Sequence, residues 1–249
     1  MFRALLTEPK VFIQGISAAS DLITEGTFRL KKEGIQLLAM DPASVAMIVL
    51  NVLSSVFAEY SLDEDKDITL NMSEFYSVLK RAKSTDKVII ELNEDENQLD
   101  ITMKNGSTRK FSLPLLNNTE SVDKIPELSY DGEIELDSKP IKEGIDDASL
   151  VSDNVILIAD GNGINMKAAG STSKMSLSLD KDSGAILNNN HPHAKAKYSV
   201  EYLGKIMKNA GIFEKVKIQF KDDYPIRIDY TLVDKMKLIY IVAPRVDIE

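Results

Sequence analysis

The chain has 249 residues, of which 43% are hydrophobic, carries a formal net charge of −9 and contains no cysteine. This length and apolar content suffice for one large domain or two ordinary ones with real cores. The absence of cysteine excludes disulfide frameworks and thiolate metal sites, and the acidic balance argues against bulk attraction to nucleic acid or anionic lipid.

The first half of the chain contains two segments of helical periodicity and several strand-like segments. In the first helical segment Phe12, Ile16, Ala19 and Ile23 form one apolar stripe, which predicts an amphipathic helix. In chain order, the predicted elements are a helix over 9–23, a strand after a turn glycine over 33–40, a helix, turn and strand over 78–92, and a strand over 110–116.

The second half repeats the first. The same four segments recur, at offsets of 128 to 130 residues, over 138–152, 162–169, 206–220 and 240–246. Alternating segments within the two halves predict further strands over 67–71, 98–104, 155–159 and 226–232. The sequence therefore predicts an α+β protein made of two tandem pseudo-repeat modules, each with two helices packed on antiparallel sheets.

A polar segment interrupted by proline separates the two modules. Such composition is typical of a connector between domains. We therefore expect an N-terminal module over 1–116, a connector over 117–130 and a C-terminal module over 131–249. No export signal opens the chain, and its longest nearly apolar run, Val45 to Leu53, is too short to cross a bilayer, so we expect an intracellular protein without a membrane span.

The four predicted helices carry more positive charge than the rest of the chain. Their charged side chains sum to +2, whereas the whole chain carries −9. Ordinary solvated helix faces would also hold exposed lysines, so charge alone does not identify a nucleic-acid surface.

Six segments, distributed along the whole chain, carry a resemblance to a known family. They are LLAMDPASVAMIVL (37–50), VLKRAKSTDKVIIEL (78–92), STRKFSLPLL (107–116), DASLVSDNV (147–155), YSVEYLGKIMKNAG (198–211) and IYIVAPRVDIE (239–249). In this order and spacing they resemble the sliding clamps called proliferating cell nuclear antigen, and among these the archaeal members. The resemblance implies the DNA-clamp fold and a trimer of six modules, in which helices line a central hole and sheets lie outside.

The same resemblance implies a non-catalytic function without a cofactor. The ring would encircle duplex DNA independently of sequence as a processivity factor, after loading by a clamp loader of the replication factor C type. It would tether DNA polymerase, flap endonuclease and DNA ligase through short hydrophobic motifs, in the cytoplasm at the nucleoid, or in the nucleus of a eukaryote. The implied DNA-facing residues are Lys10, Lys80, Arg81, Lys83, Lys139, Lys142, Lys205 and Lys208.

Two further surfaces follow from the resemblance. The subunit interface would hold basic side chains facing acidic ones and two strands that pair across the boundary, and Arg81 and Lys83 are assigned to both the interface and DNA. The interface residues are Arg81, Lys83, Arg109, Lys110, Phe111, Leu113, Glu143, Asp146, Asp147, Lys174, Met175, Leu177 and Leu179. The pocket for partner motifs would consist of Met40, Val45, Met47, Val122, Ile125, Pro225, Ile241, Ala243 and Pro244.

Three motifs suggest metal or nucleotide chemistry but lack a required residue. A calcium-loop pattern begins at Asp63, yet Ile68 occupies the position where the sharp turn needs glycine. His191 and His193 flank a proline without a visible third ligand, and Gly161 and Gly163 lack the third glycine of a phosphate cradle. We therefore expect no metal site and no enzyme.

Two alternatives to a self-assembling clamp remain. The chain could be one subunit of a ring of non-identical subunits, which would trimerise only with sister chains. It could also be a carboxylate-metal hydrolase, because scattered carboxylates permit such chemistry, and bound divalent metal would then be required.

Overall fold

A computed structural model describes residues 1–117, 124–188 and 193–246. Four α-helices are described: α1 (Lys10–Ser20), α2 (Met72–Leu79), α3 (Ser138–Ser149) and α4 (Val200–Met207). Strands β1 to β9 are Phe2–Leu6, Glu25–Lys31, Gly34–Met40, Ala46–Leu53, Glu59–Leu62, Lys66–Asn71, Lys87–Asn93, Gln98–Asn105 and Ser107–Pro114. Strands β10 to β18 are Glu133–Asp137, Asn154–Ala159, Gly163–Ala169, Lys174–Asp180, Ile186–Asn188, Ala194–Ser199, Lys215–Gln219, Ile226–Leu232 and Met236–Val242.

The chain folds into two compact units that differ from the contiguous modules expected from the repeat. The first unit is Met1–Ser44, Ile48–Ile125 and Leu232–Leu238, and the second is Val45–Met47, Pro126–Thr231 and Ile239–Glu249. Strands β4 and β18 each have residues in both units.

The first unit holds one five-stranded sheet in the order β5-β1-β7-β8-β9, and its second sheet runs β6-β2-β3-β4 and ends on the first residues of β18. Between them lies an apolar core in which Phe12 and Phe28 make edge contacts with Phe75 of α2, at 6.3 and 5.7 Å between ring centroids. Asn71 caps α2, since its side chain accepts a hydrogen bond from the backbone N–H of Glu74.

The second unit repeats this plan. Its sheets run β13-β12-β11-β15 and β14-β10-β16-β17-β18, and the latter ends on the first residues of β4. The largest buried side chains of this unit include Tyr198, Tyr230 and Tyr240. Each phenol group donates to or accepts from a protein atom: Tyr240 accepts from the Asn209 amide at 2.8 Å, and Tyr230 donates to the Met207 sulfur.

A pair of glycines shows how closely β3 and β12 correspond. A Cβ atom on Gly34 would lie 2.0 Å from the carbonyl oxygen of Val52, and one on Gly163 would lie 2.0 Å from that of Leu179. Glycine is required at both positions because the neighbouring strand approaches too closely for any side chain. The match makes β13 the counterpart of β4, with Leu179 in the place of Val52.

The end of each module corrects the offset read from the sequence. The backbone N–H of Leu116 donates to Thr69, and that of Arg245 donates to Lys197. Thr69 and Lys197 each lie two residues before the N-cap of a helix, so Leu116 corresponds to Arg245, 129 residues later. The alignment of Pro114 with Pro244 is therefore wrong by one residue, which matters because neighbouring residues of a strand face opposite sides.

Candidate functional site

Two helices pack side by side in each unit, α1 with α2 and α3 with α4. Their apolar faces are buried, with Phe12 and Ile16 of α1 fully enclosed, and their polar faces are exposed. The predicted DNA-facing residues lie on or directly after these helices: all are exposed except Lys142 and Lys205, which are half-buried.

The helix ends differ from the sequence prediction. Helix α2 ends at Leu79, so Arg81 and Lys83, assigned with the cations of the helices, lie in the loop before β7. Helix α4 ends at Met207, and Lys208 begins a 3₁₀ turn that continues to Gly211.

Acidic side chains on the same helices compensate the cations of the second unit. Lys142 forms an ion pair with Asp146 one turn later, and the Lys205 ammonium lies 2.8 Å from the Glu201 carboxylate. Lys139 is 4.0 Å from Glu143 in the same spacing. Because these are exposed pairs at i, i+4, each adds little stability, but each cancels most of a local positive charge.

The cations of the first unit are arranged differently. Lys10 has no ion-pair partner among the described residues, and the Lys80 ammonium lies 5.6 Å from the ring centre of Tyr76. A cation held over an aromatic face keeps its full charge. The first unit therefore offers uncompensated positive charge on its helices, a difference that residue counting alone does not reveal.

A groove of about 800 Å³ lies between α3 and α4. Its cationic lining comes from Lys142, Lys208 and Arg245, and its anionic lining from Asp146, Asp153 and Glu201. The mixed lining does not attract phosphate strongly, in agreement with the compensated charges of the second unit.

Strands β9 and β13 are edge strands, each at the end of its sheet. On the side facing the core, Phe111 of β9 and Met175 and Leu177 of β13 are half-buried. Leu113 and Leu179, predicted interface residues, are only 9% and 7% exposed and belong to the cores of their own units. Each edge thus presents unpaired backbone groups beside apolar side chains, which is the usual composition of a strand that pairs with another chain.

A buried carboxylate organises the start of this edge. Asp86 is 1% exposed and accepts hydrogen bonds from the backbone N–H of Lys83, from the Asn105 amide and from the Arg109 guanidinium. The Lys83 N–H is the strongest influence that lowers the pKa of Asp86, followed by Asn105 and Arg109. Arg109 also donates to the carbonyl of Arg81 at 3.2 Å. The Arg109 guanidinium therefore has partners within its own chain, and its assignment to the subunit interface stays a prediction.

Lys110 and Asp146, also predicted interface charges, have partners within the chain as well. Lys110 lies 2.9 Å from Asp100, whose pKa is lowered first by a hydrogen bond from Ser112 and then by Lys110. Glu143 and Asp147 remain exposed on α3.

The predicted pocket residues have unequal exposure. Met40 is 37% exposed, and Val45, Ile125, Pro225, Ala243 and Pro244 are half-buried. Met47 and Ile241 are 4% and 7% exposed and therefore belong to the core, a correction to their assignment as docking residues. Val122 lies outside the described residues.

The described residues contain no group of three or more His, Asp or Glu side chains placed to hold a metal ion. His193 is exposed, and His191 lies outside the described ranges. Within those same ranges, every helix is too short or too polar to span a bilayer.

Comparison with known proteins matches both halves of the chain. Residues 1–121 match the model for the N-terminal domain of proliferating cell nuclear antigen, and residues 124–245 match the model for its C-terminal domain. The DNA polymerase sliding clamp of Nanoarchaeum equitans is 36% identical over 98% of this chain and 100% of its own length. DNA polymerase sliding clamp 1 of Thermococcus kodakarensis is 36% identical over 99% of both chains.

Solved structures agree in fold. A crystal structure of proliferating cell nuclear antigen from Thermococcus kodakaraensis superposes with a TM-score of 0.91 at 26% identity, covering 98% of this chain and 100% of that one. The A. fulgidus protein, solved with the C-terminal region of FEN-1 bound, gives a TM-score of 0.89 at 27% identity over the full length of both chains.

Proposed function

Because the chain belongs to the proliferating cell nuclear antigen family, we propose that three copies of it close into a ring around duplex DNA and act as a sliding clamp for DNA polymerase. The function is non-catalytic, since a closed ring retains DNA by topology. It needs no active site and no base-specific contact, which would stall the ring at particular sequences.

The pairing of β4 with β18 carries this proposal. Leu53 donates its backbone N–H to Lys235, and Ala243 donates its own to Val45, both at 2.9 Å. The repeat makes β13 the counterpart of β4 and β9 the counterpart of β18. Strands β4 and β18 pair with each other, whereas β13 and β9 each lie at the edge of a sheet. Joining β9 of one copy to β13 of the next reproduces the strand pairing that β4 and β18 already make, and head-to-tail repetition of one such contact generates a ring when the rotation closes.

The correspondence also gives the register of the proposed contact. Carrying the β4–β18 register over to β13 and β9 places Met175 opposite Phe111 and Leu177 opposite Arg109. Met175, Leu177 and Phe111 are all half-buried in the isolated chain, and the pairing would cover them. Burial of this apolar surface, together with the new backbone hydrogen bonds, would stabilise the assembly.

The mass of the protein in solution tests the proposal. Three copies of the 27.7 kDa chain give a species of about 83 kDa, and light scattering or native mass spectrometry should find it at low salt. Because the ion pairs of the edge strands lie largely within one chain, we expect only modest loosening at high salt. A strict monomer at every concentration and salt would reject self-closure and leave a subunit that requires sister chains.

For contact with DNA, the first unit is the better candidate. Lys10 and Lys80 keep their charge, whereas Lys139, Lys142 and Lys205 are compensated on their own helices. Lysines that touch phosphates give a sequence-independent, salt-sensitive attraction that permits sliding. Arg81 and Lys83 lie near β9, so we assign them to the subunit junction before DNA.

Lys80→Ala should therefore reduce the salt dependence of binding to a short duplex. Each phosphate contact contributes roughly 0.9 to the slope of log affinity against log salt, so the slope should fall by about that amount for each of the three copies whose Lys80 touches the duplex. Fluorescence anisotropy over a salt series measures it. The matched control replaces Lys142 and Asp146 together by alanine, which removes a neutral pair and should leave the slope unchanged. If the slope fell in this control but not in Lys80→Ala, the phosphate contact would belong to the second unit.

For partner enzymes, we propose that short hydrophobic motifs bind the exposed or half-buried residues of the predicted pocket, which are Met40, Val45, Ile125, Pro225, Ala243 and Pro244. The relative solved with a FEN-1 segment supports flap endonuclease as one partner. DNA polymerase, DNA ligase and a clamp loader of the replication factor C type are the other proposed partners, at the nucleoid in the cytoplasm.

Ile125→Ala should weaken the binding of a synthetic motif peptide about fivefold to thirtyfold, because truncation removes roughly 1–2 kcal/mol of apolar contact. Isothermal titration calorimetry measures the affinity. Leu150→Ala, at a position 83% exposed in the second unit, is the control and should leave it unchanged. Unaltered affinity in Ile125→Ala would place the docking surface elsewhere.

A further inference from the structure

The turn between β8 and β9 consists of an asparagine followed by a glycine at its tip. Asn105 ends β8, Gly106 follows it, and both residues are exposed. Gly106 has φ +66°, and a Cβ atom built on it would meet no atom within 4 Å. Glycine is also the residue whose backbone rotates most freely. The backbone nitrogen that follows the Asn105 side chain is therefore sterically open.

This arrangement permits a reaction in which the chain modifies itself, and asparagine is among the heat-labile residues of proteins. The Gly106 nitrogen, after losing its proton to solvent, attacks the side-chain amide carbon of Asn105, and the amide nitrogen leaves as ammonia. The product is a cyclic imide. Water then opens the ring at the side-chain carbonyl, which gives aspartate, or at the backbone carbonyl, which gives isoaspartate. The net change is hydrolysis of the amide to a carboxylate and ammonium.

The fold protects a second asparagine that precedes glycine. Asn162 is exposed as well, but Gly163 is buried in β12, where it stands opposite Asp180 of β13. A Cβ atom on Gly163 would lie 2.0 Å from the carbonyl oxygen of Leu179. Cyclisation requires the backbone between asparagine and glycine to rotate, and the neighbouring strand opposes that rotation at Gly163. The structure therefore predicts different reactivity for two pairs of the same composition.

The Asn105 amide belongs to the hydrogen bonds around the buried carboxylate of Asp86. Its Nδ2 donates to the Thr85 hydroxyl at 2.7 Å and to Asp86 at 3.1 Å. The pKa of Asp86 lies below its ordinary value, first because of the Lys83 N–H, so Asp86 is charged when a second carboxylate forms beside it. Hydrolysis of Asn105 would thus replace a hydrogen-bond donor by a negative charge, next to the carboxylate that also holds Arg109 of β9.

We propose that Asn105 with Gly106 is a site of spontaneous modification, and that its conversion weakens the edge strand β9. Two hydrogen bonds restrain the amide, so conversion proceeds when the contact with Thr85 and Asp86 opens. The isoaspartyl product also adds one carbon to the backbone directly before β9 and disturbs its register with β8. The effect on subunit pairing rests on the proposed trimer, whereas the conversion itself does not.

Peptide mapping by mass spectrometry, after long incubation at raised temperature and mildly alkaline pH, tests the modification. The peptide holding Asn105 should gain the mass of an amide-to-acid conversion, as aspartyl and isoaspartyl forms, well before the peptide holding Asn162 does. Gly106→Ala places a methyl beside the attacking nitrogen and should suppress the conversion. Thr85→Val removes one acceptor while keeping the side-chain shape and should accelerate it. Conversion at Asn162 as fast as at Asn105, or no conversion at Asn105 in either the wild type or Thr85→Val, would overturn the site.

Light scattering across a dilution series tests the effect on β9. Asn105→Asp, which reproduces one product, should raise the concentration at which the trimer dissociates by about tenfold, because repulsion replaces a hydrogen bond to a buried charge. The matched control, Asn162→Asp, makes the same charge change and should dissociate as the wild type does. Equal dissociation of Asn105→Asp and the wild type would overturn the effect on β9. A wild-type chain that is monomeric at every concentration would instead contradict the proposed trimer, and the peptide map would still decide the modification.

Discussion

Oxidation of a chain carrying Phe111→Cys and Met175→Cys is expected to produce a covalently closed trimer. The proposed register places these residues opposite each other on β9 of one copy and β13 of the next, on the side facing the core. Opposed residues of this kind have Cα atoms about 4.5–5.5 Å apart, within the range that a disulfide spans. The chain has no native cysteine to interfere. Denaturing gel electrophoresis without reductant should convert nearly all of the 27.7 kDa band to a species of about three times that mass.

A second pair tests the register as well as the contact. Phe111→Cys with Leu177→Cys lies two residues out of register, where the separation of roughly 7–8 Å exceeds what a disulfide allows. It should remain monomeric on the same gel. Efficient closure by the second pair and not the first would contradict the register, and closure by neither, in a protein whose mass is still trimeric, would place the contact on other strands.

Gly163→Ala is expected to lower the free energy of unfolding of the second unit by about 1–3 kcal/mol and to weaken trimer formation as well. The added methyl would lie 2.0 Å from the carbonyl oxygen of Leu179, so β13 must move away from β12. Because β13 is the strand that would pair with the next copy, its displacement should also raise the concentration at which the ring dissociates. Urea unfolding and light scattering across a dilution series measure the two effects.

Gly204→Ala is the matched control. A methyl at this position of α4 meets no atom within 4 Å, and alanine favours a helix over glycine by roughly 0.8–1 kcal/mol, so this change should be neutral or stabilising. If Gly163→Ala lowered stability without altering dissociation, β13 would not form the subunit contact.

The repeat and most elements of the fold could be predicted from the sequence because they follow from hydrophobic periodicity. The helical segment over 138–152 and the strand over 226–232 are examples, observed at Ser138–Ser149 and Ile226–Leu232. The conformation of the loop after α2 could not, since the Asp86 carboxylate that accepts the Lys83 N–H reaches that position only in the folded loop. The number of residues between equivalent positions at the ends of the two modules could not be predicted either. The alignment of Pro114 with Pro244 looks correct in sequence, but it is one residue off and would assign equivalent residues to opposite faces of the strand.

The candidate site was less predictable than the fold. Which lysines are exposed follows from the helical pattern, but whether Lys142 is compensated depends on the rotamer that brings it to Asp146. Strand register escaped prediction for a related reason: Lys167 and Lys197 are distant in sequence, and only the folded sheet shows that both stand opposite Ile156.

The lysines of α3 and α4 that form ion pairs with acidic residues of the same helix affect how a ring would move along DNA. A phosphate that passes a lysine already neutralised one turn away meets a shallow energy well, and a ring that moves over shallow wells experiences little friction. Its one-dimensional diffusion coefficient would then be set by hydrodynamic drag, including any rotation along the helical groove, rather than by breaking successive ion pairs. Acidic side chains that form ion pairs with the lysines lining a DNA-encircling ring would in this way reduce the friction between the ring and the DNA.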